Sequence, residues 1–147
     1  MSLPLLLASS SAYRKQLLEK LQLPFTCASP DIDESILPSE DASAYVERLA
    51  IEKAKALQGD FSKHIIIGSD QCAILDINGQ QRILGKPHTL ENAVQQLSDC
   101  SGRKVTFLTG LCCFNSHSKK TLSIVEPFTV HFRELTDAQI RRYIEQE

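Results

Sequence analysis

The amino-acid sequence predicts an α/β protein in which a mixed, twisted sheet is flanked by helices. Strand-like and helix-like segments alternate along the first part of the chain, and longer strand-like segments follow. The run Ile65-Ile66-Ile67 is apolar at successive positions, which is typical of a strand that is buried on both faces of a sheet. These two patterns favour a single α/β domain.

The chain begins with a strand, a turn, a helix and a second strand. Leu5 to Ala8 is a short apolar run, and the hydroxyl-rich turn Ser9-Ser10-Ser11 follows it. Apolar residues then recur at helical spacing from Tyr13 to Leu21, which predicts the first helix. Pro24 to Ala28 is predicted to form the second strand.

An acidic loop and a long helix come next. The loop runs from Pro30 to Ser35, and the helix is predicted from about Asp41 to Leu57, with Gly59 at its end. The buried strand Ile65 to Ile67 is predicted to stop at Gly68-Ser69-Asp70-Gln71.

A hairpin and a third helix are predicted in the middle of the chain. Cys72 to Leu75 and Arg82 to Leu84 have strand-like composition and flank the turn Asn78-Gly79. Thr89 is predicted to cap a helix that reaches Leu97, and Ser101-Gly102 closes it.

Two long strands and a final helix complete the predicted fold. Val105 to Phe114 and Ile124 to Phe132 are strand-like, and Pro127 favours an edge position or a bulge for the second. The capping box Thr136-Asp137-Ala138-Gln139 predicts a helix that runs to Glu147.

The composition limits the classes of function. A chain of 147 residues can bury a core without disulfides or metal. The net charge of −2 and the lack of a basic block argue against DNA or RNA polymers as partners. No run approaches the ~18 apolar residues of a spanning helix, and no signal peptide is evident, so we expect a cytoplasmic protein without membrane contact. The five cysteines lack C-x-x-C spacing, which favours reduced thiols over a disulfide framework or a zinc site.

The serine turn is a candidate anion site. A helix N-terminus offers unpaired N–H groups and a partial positive charge, and Ser9, Ser11 and Arg14 would add hydroxyls and a cation. Phosphate is the natural ligand of such a site. The alternative is that Ser11 serves only as an N-cap.

Two acidic segments are candidates for holding a cation. Asp70 is predicted at the carboxyl end of a buried strand, where ligands of α/β sheets collect, although an Asx-turn is the alternative. Asp31, Asp33 and Glu34 form an acidic run that would otherwise be a solvated loop. Because Mg²⁺ usually takes one or two carboxylates and keeps its waters, Asp70 and one acid of the run would be sufficient.

Two lysines are candidates for binding an anion. Lys53 lies between Leu49 and Leu57 on the inward stripe of the second helix, where a buried ammonium needs a negative partner. The alternative is that its stem covers apolar surface while its charge reaches water. Lys86 lies between Gly85 and Pro87, an ordinary turn that would also present a rigid cation to a phosphate.

An ordered set of motifs resembles the Maf family of nucleotide pyrophosphatases. The segments are Leu7-Ala8-Ser9-Ser10-Ser11-Ala12-Tyr13-Arg14, Asp33-Glu34, Ala50-x-x-Lys53-Ala54, Ile67-Gly68-Ser69-Asp70-Gln71, Gly85-Lys86-Pro87, Ser101-Gly102 and Thr109-Gly110-Leu111. The resemblance implies a fold like that of the inosine-triphosphate pyrophosphatases, with two lobes about a cleft, usually in a homodimer. It also implies hydrolysis of nucleoside triphosphates between the α and β phosphates with a divalent cation, Mg²⁺ or Mn²⁺.

The resemblance assigns roles to residues at matching positions. It implies that Ser9, Ser11, Arg14, Lys53 and Lys86 bind the phosphates of the nucleotide. It further implies that Glu34 and Asp70 hold the cation and that Asp70 is the base for the attacking water.

Two departures from the common family pattern bear on the substrate. Tyr13 stands where most members have Arg, and Gln71 follows Asp70 where most have Thr, which resembles the branch that cleaves 7-methyl-GTP. A tyrosine face attracts the positive charge of 7-methylguanine, whereas an arginine would repel it. Gln71 can donate to and accept from a base edge. The alternative for Tyr13 is packing against Leu17.

The same resemblance leaves two other functions open. One is the same chemistry on dTTP or UTP, and the other is a nucleotide-binding regulator of cell division without turnover. We expect residues 1–147 to form a single Maf-like domain that lacks the family's C-terminal segment.

Overall fold

A computed structural model describes residues 3–85, 87 and 89–146. Its elements in chain order are β1 (Leu5–Ala8), α1 (Ala12–Glu19), β2 (Phe25–Ala28), α2 (Ala42–Lys55), β3 (Ile65–Ile77), β4 (Gln80–Leu84), α3 (Leu90–Cys100), β5 (Lys104–Asn115), β6 (Lys120–His131) and α4 (Asp137–Glu145). Within the described part of the chain, no helix is long and apolar enough to cross a membrane.

The strands form a six-stranded mixed sheet. Its order is β2-β1-β3-β5-β6, and β4 pairs with β3 outside this path. β1 pairs in parallel with both β2 and β3, whereas β3 and β4 are antiparallel. The predicted α/β fold with a mixed sheet is confirmed.

Side-chain caps begin the four helices, and those of Thr89 and Thr136 act as predicted. The side chains of Ser11, Asp41, Thr89 and Thr136 are N-caps, and each accepts a hydrogen bond from the backbone N–H three residues later. Such caps satisfy backbone donors that have no partner inside the helix. The last helix ends at Glu145 rather than at the predicted Glu147, which lies outside the described residues.

The hairpin and the edge strand are also confirmed. Asn78 and Gly79 both have positive φ, 51° and 81°, which suits the type I′ turn that joins β3 to β4. β6 lies at the end of the strand order, which is the edge position that Pro127 predicts.

The prediction that the third strand stops at Gly68-Ser69-Asp70-Gln71 is wrong. β3 continues through this segment to Ile77, a length of 13 residues. Gly68 is explained by packing instead of by a turn, because a Cβ there would lie 2.1 Å from the Ala50 carbonyl oxygen of α2. The Asx-turn alternative for Asp70 is excluded by the same extended backbone.

The described residues divide into two compact units. The first contains the residues up to Gln71 together with Thr109–Glu126, and the second contains Cys72–Leu108 and the residues from Pro127 onward. The core of the first unit contains Leu6, Ala8, Ala50, Ala54, Leu57, Ile66, Cys112 and Phe114. Leu75, Cys100 and Val105 form the core of the second.

Two glycines let α2 lie directly against the sheet in the first unit. At Gly110 of β5, a Cβ would lie 2.3 Å from the Val46 carbonyl oxygen, and Gly68 of β3 makes the similar approach to Ala50. Both distances are far below van der Waals contact with backbone atoms that cannot move independently of the helix. The helix is therefore fixed against β3 and β5 at successive turns.

We expect Gly68→Ala to lower the free energy of unfolding by about 2 kcal/mol or more, because the added methyl group overlaps the backbone of α2. Gly59→Ala is the matched control, since a Cβ there meets nothing within 4 Å. Urea denaturation of both variants measures the difference. Equal stability of the two variants would contradict the close approach of α2 to β3.

Candidate active site

The serine turn follows the carboxyl end of β1. The Ser9 hydroxyl oxygen accepts a hydrogen bond from the Ser11 N–H at 3.0 Å, and the Ser11 hydroxyl oxygen accepts one from the Arg14 N–H at 3.3 Å. Because both hydroxyls are acceptors in these bonds, their O–H groups can still donate to an anion. Ser11 is the N-cap of α1, as the alternative interpretation states, and a hydroxyl that caps a helix can still donate to an anion.

The first turn of α1 carries two further predicted residues. Arg14 is half-buried, and no carboxylate among the described residues pairs with its guanidinium within 4.0 Å. Tyr13 is 69% exposed, and Leu17 is itself exposed. Burial of Tyr13 against Leu17 therefore does not explain the aromatic residue at this position.

Lys53 is the centre of the predicted charge cluster. Its Nζ lies 2.9 Å from Asp70 Oδ1 and 3.1 Å from Glu34 Oε1, and its side chain is only 12% exposed. Lys53 therefore lies on the inward face of α2 and its ammonium is ion-paired, which confirms the predicted negative partner. The alternative, in which the charge reaches water, is excluded.

Asp70 faces Lys53 because of the alternation of side chains along β3. Ile66, Gly68 and Asp70 occupy alternate positions, so they share the strand face that packs on α2. The Asp70 side chain is 12% exposed. Leu7 and Ile67 are the last paired residues of β1 and β3, so Ser9 and Asp70 both follow the point where this parallel pairing ends.

Glu34 reaches the cluster from an irregular loop. Its side chain is 58% exposed, and its carboxylate shares the Lys53 ammonium with Asp70. The Tyr45 hydroxyl donates to the Glu34 carbonyl oxygen. Two carboxylates that are distant in sequence therefore converge on one point.

Gln71 has a partner that sequence reasoning missed. Its exposed side chain donates from Nε2 to Thr109 Oγ1 at 3.0 Å. Thr109 lies in the quoted Thr109-Gly110-Leu111 segment, but only the adjacency of β3 and β5 brings it to Gln71. Lys86 lies outside the described residues.

The chemistry of the donor set fits a hard divalent cation. In the described part of the chain, no three His, Cys, Asp or Glu side chains form a cluster that would enclose a metal. The carboxylates of Glu34 and Asp70 nevertheless both contact the Lys53 ammonium, so their oxygens lie close to one point. Two carboxylates are sufficient, because Mg²⁺ usually takes only one or two from a protein. Substrate phosphates and waters supply the remaining ligands of such an ion.

Comparison with known proteins gives one family and one fold. A family profile described as Maf-like protein matches residues 4–147. The structure of a nucleoside-triphosphatase, dITP/XTP pyrophosphatase, from Mycobacterium abscessus has a TM-score of 0.53 at 15% sequence identity, with 87% of this chain and 73% of that chain covered. At this identity, the similarity concerns the fold alone.

Curated relatives are considerably more similar in sequence. The 7-methyl-GTP pyrophosphatase of Pseudomonas aeruginosa is 57% identical over 143 residues, which are 97% of this chain and 72% of that protein. The 7-methyl-GTP pyrophosphatase of Colwellia psychrerythraea is 50% identical, with 97% of this chain and 70% of that protein covered.

We expect Lys53→Met to destabilise the fold by about 3 kcal/mol, because it leaves the largely buried Asp70 carboxylate without its counter-charge. Lys15→Met, on the exposed side of α1, is the control and should change stability by less than about 0.5 kcal/mol. Adding Asp70→Asn to Lys53→Met should restore part of the loss, since an amide needs no counter-charge. Thermal unfolding of the four proteins at pH 7 is the measurement, and equal stability of the two lysine variants would contradict the ion pair.

Proposed function

The chain belongs to the Maf-like protein family, and on this premise we propose that it is a pyrophosphatase that hydrolyses 7-methyl-GTP to 7-methyl-GMP and pyrophosphate. The names of relatives at 50% and 57% identity support this substrate. The observation that carries the proposal is the Lys53 ammonium held between the Glu34 and Asp70 carboxylates. An ammonium can bind phosphate and two carboxylates can bind a divalent cation, so the groups that this reaction needs lie at one point.

In the proposed reaction, water attacks the α-phosphorus. A new bond forms between the water oxygen and that phosphorus, and the bond from the α-phosphorus to the oxygen that bridges the α and β phosphates breaks. Pyrophosphate leaves with that oxygen. Asp70 accepts the proton of the attacking water, and the hydrogen bond from Lys53 Nζ at 2.9 Å orients its carboxylate for this role.

The positive groups of the site bind the triphosphate. We assign this role to the hydroxyls of Ser9 and Ser11, the Arg14 guanidinium and the Lys53 ammonium, and to Lys86, which lies outside the described residues. Phosphoryl transfer requires mainly positioning and neutralisation of charge, and these groups supply both. Lys53 balances the two acids without substrate and donates to the phosphates when they bind.

We propose that Glu34 and Asp70 hold a divalent cation, Mg²⁺ or Mn²⁺, against the phosphates. A bound cation of this kind neutralises phosphate charge and activates water. The support is that both carboxylates already share one positive charge.

Tyr13 and Gln71 are the proposed contacts to the base. The 7-methylguanine ring carries a positive charge, and a tyrosine face attracts a cation by about 0.5–2 kcal/mol. The exposure of Tyr13 in the first turn of α1, next to the serine turn, supports this role. The bond from Gln71 to Thr109 uses one amide hydrogen and leaves the remaining amide groups for a base edge.

A homodimer in the cytoplasm completes the proposal. Both features rest on the resemblance to the family. Light scattering of the purified chain tests the dimer.

We expect release of pyrophosphate from 7-methyl-GTP in the presence of Mg²⁺ or Mn²⁺, and a loss of at least about 100-fold in Asp70→Asn, because the proposed base is removed. Asp60→Asn, an exposed carboxylate outside the cluster, is the control and should retain activity. Turnover of dTTP or UTP alone would favour the other branch of the family. Nucleotide binding without any release would favour the non-catalytic regulator.

We expect Tyr13→Arg to lower kcat/KM for 7-methyl-GTP about 2- to 30-fold more than for GTP, since it replaces an attractive face by a like charge. Tyr13→Phe retains the face and should largely preserve the preference. Steady-state kinetics on both nucleotides measures the ratio. Equal losses on the two substrates would reject the role of Tyr13.

A further inference from the structure

The loop that carries Glu34 has no regular secondary structure of its own. We define it as the Glu34 loop, residues 29–40, between β2 and α2. Among the described residues, the loop meets the charge cluster through the ion pair between Lys53 and Glu34, and the Glu34 side chain is 58% exposed. An ion pair with one exposed partner contributes little to holding a loop in place. Ordering an irregular segment costs conformational entropy at every residue. Other contacts must therefore hold the loop where Glu34 meets Lys53.

Arg48 of α2 supplies the largest set of these contacts. Its Nε and Nη2 donate to both carboxylate oxygens of Glu40, at 2.7 and 3.0 Å, and Nη2 also donates to the Ser35 carbonyl oxygen at 2.8 Å. Its Nη1 donates to Glu52 on the same helix at 3.1 Å. One guanidinium thus links the loop to the helix at the residue after Glu34 and at the end of the loop.

Tyr45 extends the attachment by one turn of α2. Its hydroxyl donates to the Glu34 carbonyl oxygen, and the Arg48 guanidinium lies 5.7 Å from the centre of its ring. The backbone carbonyls of Glu34 and Ser35 are consequently both bound to α2. Lys53 lies on this helix as well. The same helix therefore fixes both the backbone of the loop and the ammonium that the Glu34 carboxylate contacts.

Bonds within the loop keep it compact between these attachments. Asp33 Oδ1 accepts from the N–H and the hydroxyl of Ser35, at 2.9 and 2.6 Å, and Glu40 Oε1 accepts from the Leu37 N–H. The pKa of the Glu40 carboxyl is lowered, first by the hydrogen bond from Arg48 and to a lesser degree by that from Leu37. Because the folded-state pKa is lowered, the attachment is complete at neutral pH and is lost only as the pH falls through that lowered value.

We propose that Arg48 is a positioning residue for the reaction: it fixes the Glu34 loop to α2 so that the Glu34 carboxylate can hold the divalent cation. This inference rests on the proposed function, since it concerns the cation of that same site. Arg48 does not touch the charge cluster itself, so its effect on the cation passes through Glu34.

The test separates this role from a general contribution to stability. The variants are Arg48→Met, Glu34→Gln, the double variant and Glu52→Gln, which removes the one charged partner of Arg48 that is not in the loop. The first readout is Mn²⁺ affinity, measured by electron paramagnetic resonance with a 7-methyl-GTP analogue whose α,β bridge is a methylene group. The second is the Mg²⁺ concentration that gives half-maximal release of pyrophosphate.

Removal of groups that orient a metal ligand typically weakens metal affinity 10- to 100-fold. We expect Arg48→Met to weaken Mn²⁺ binding about 10-fold and Glu52→Gln less than 2-fold. In the Glu34→Gln background, Arg48→Met should have no further effect, because the carboxylate that it positions is gone. Arg48→Lys should restore only part of the affinity, since an ammonium cannot make the two-point contact with Glu40.

Unchanged Mn²⁺ affinity in Arg48→Met, or losses that add fully to those of Glu34→Gln, would overturn the positioning role. If Arg48→Met does not fold, Tyr45→Phe tests the same attachment by removing only the hydroxyl, and it should weaken Mn²⁺ binding by a smaller factor in the same direction. A wild-type protein that binds Mn²⁺ in this Arg48-dependent way without releasing pyrophosphate would contradict the proposed function alone. If the wild type releases pyrophosphate but Arg48→Met binds Mn²⁺ as tightly as Glu52→Gln does, the positioning role alone is contradicted.

Discussion

The charge of Lys53 is the interaction on which the candidate site depends. A largely buried ammonium is tolerated only with negative partners, and Asp70 and Glu34 both contact it. Its position follows from the packing of α2, whose backbone reaches β3 and β5 where Gly68 and Gly110 carry no side chain. Close backbone packing therefore brings the positive and negative groups of the site together, and the serine turn follows the strand next to Asp70.

Most elements of the fold could be predicted because their signals are local. Thr136 caps its helix through contacts within four residues, and Asn78-Gly79 adopts the backbone angles that a two-residue hairpin requires. The error in β3 has the opposite origin. A glycine that ends a strand and a glycine that admits a neighbouring helix look the same in sequence, and only the approach of Ala50 to Gly68 separates them.

The charge cluster was partly predictable for a similar reason. Helical periodicity alone placed Lys53 on the buried face of α2 and predicted a negative partner for it. That this partner is Asp70 follows only from the packing of α2 against β3. Arg48 also lies on α2, but its partners depend on the path of an irregular loop that no periodicity describes. Thr109 was missed because its contact with Gln71 depends on which strands are neighbours in the sheet.

The most direct test of the account is the anomalous diffraction of Mn²⁺ in crystals of this chain grown with a 7-methyl-GTP analogue that carries a methylene α,β bridge. The account predicts an anomalous peak within coordination distance of the Asp70 and Glu34 carboxylates, with Lys53 Nζ in contact with a phosphate oxygen. Phosphates bound elsewhere, with the bridge from Lys53 to both acids intact and no peak beside them, would contradict it.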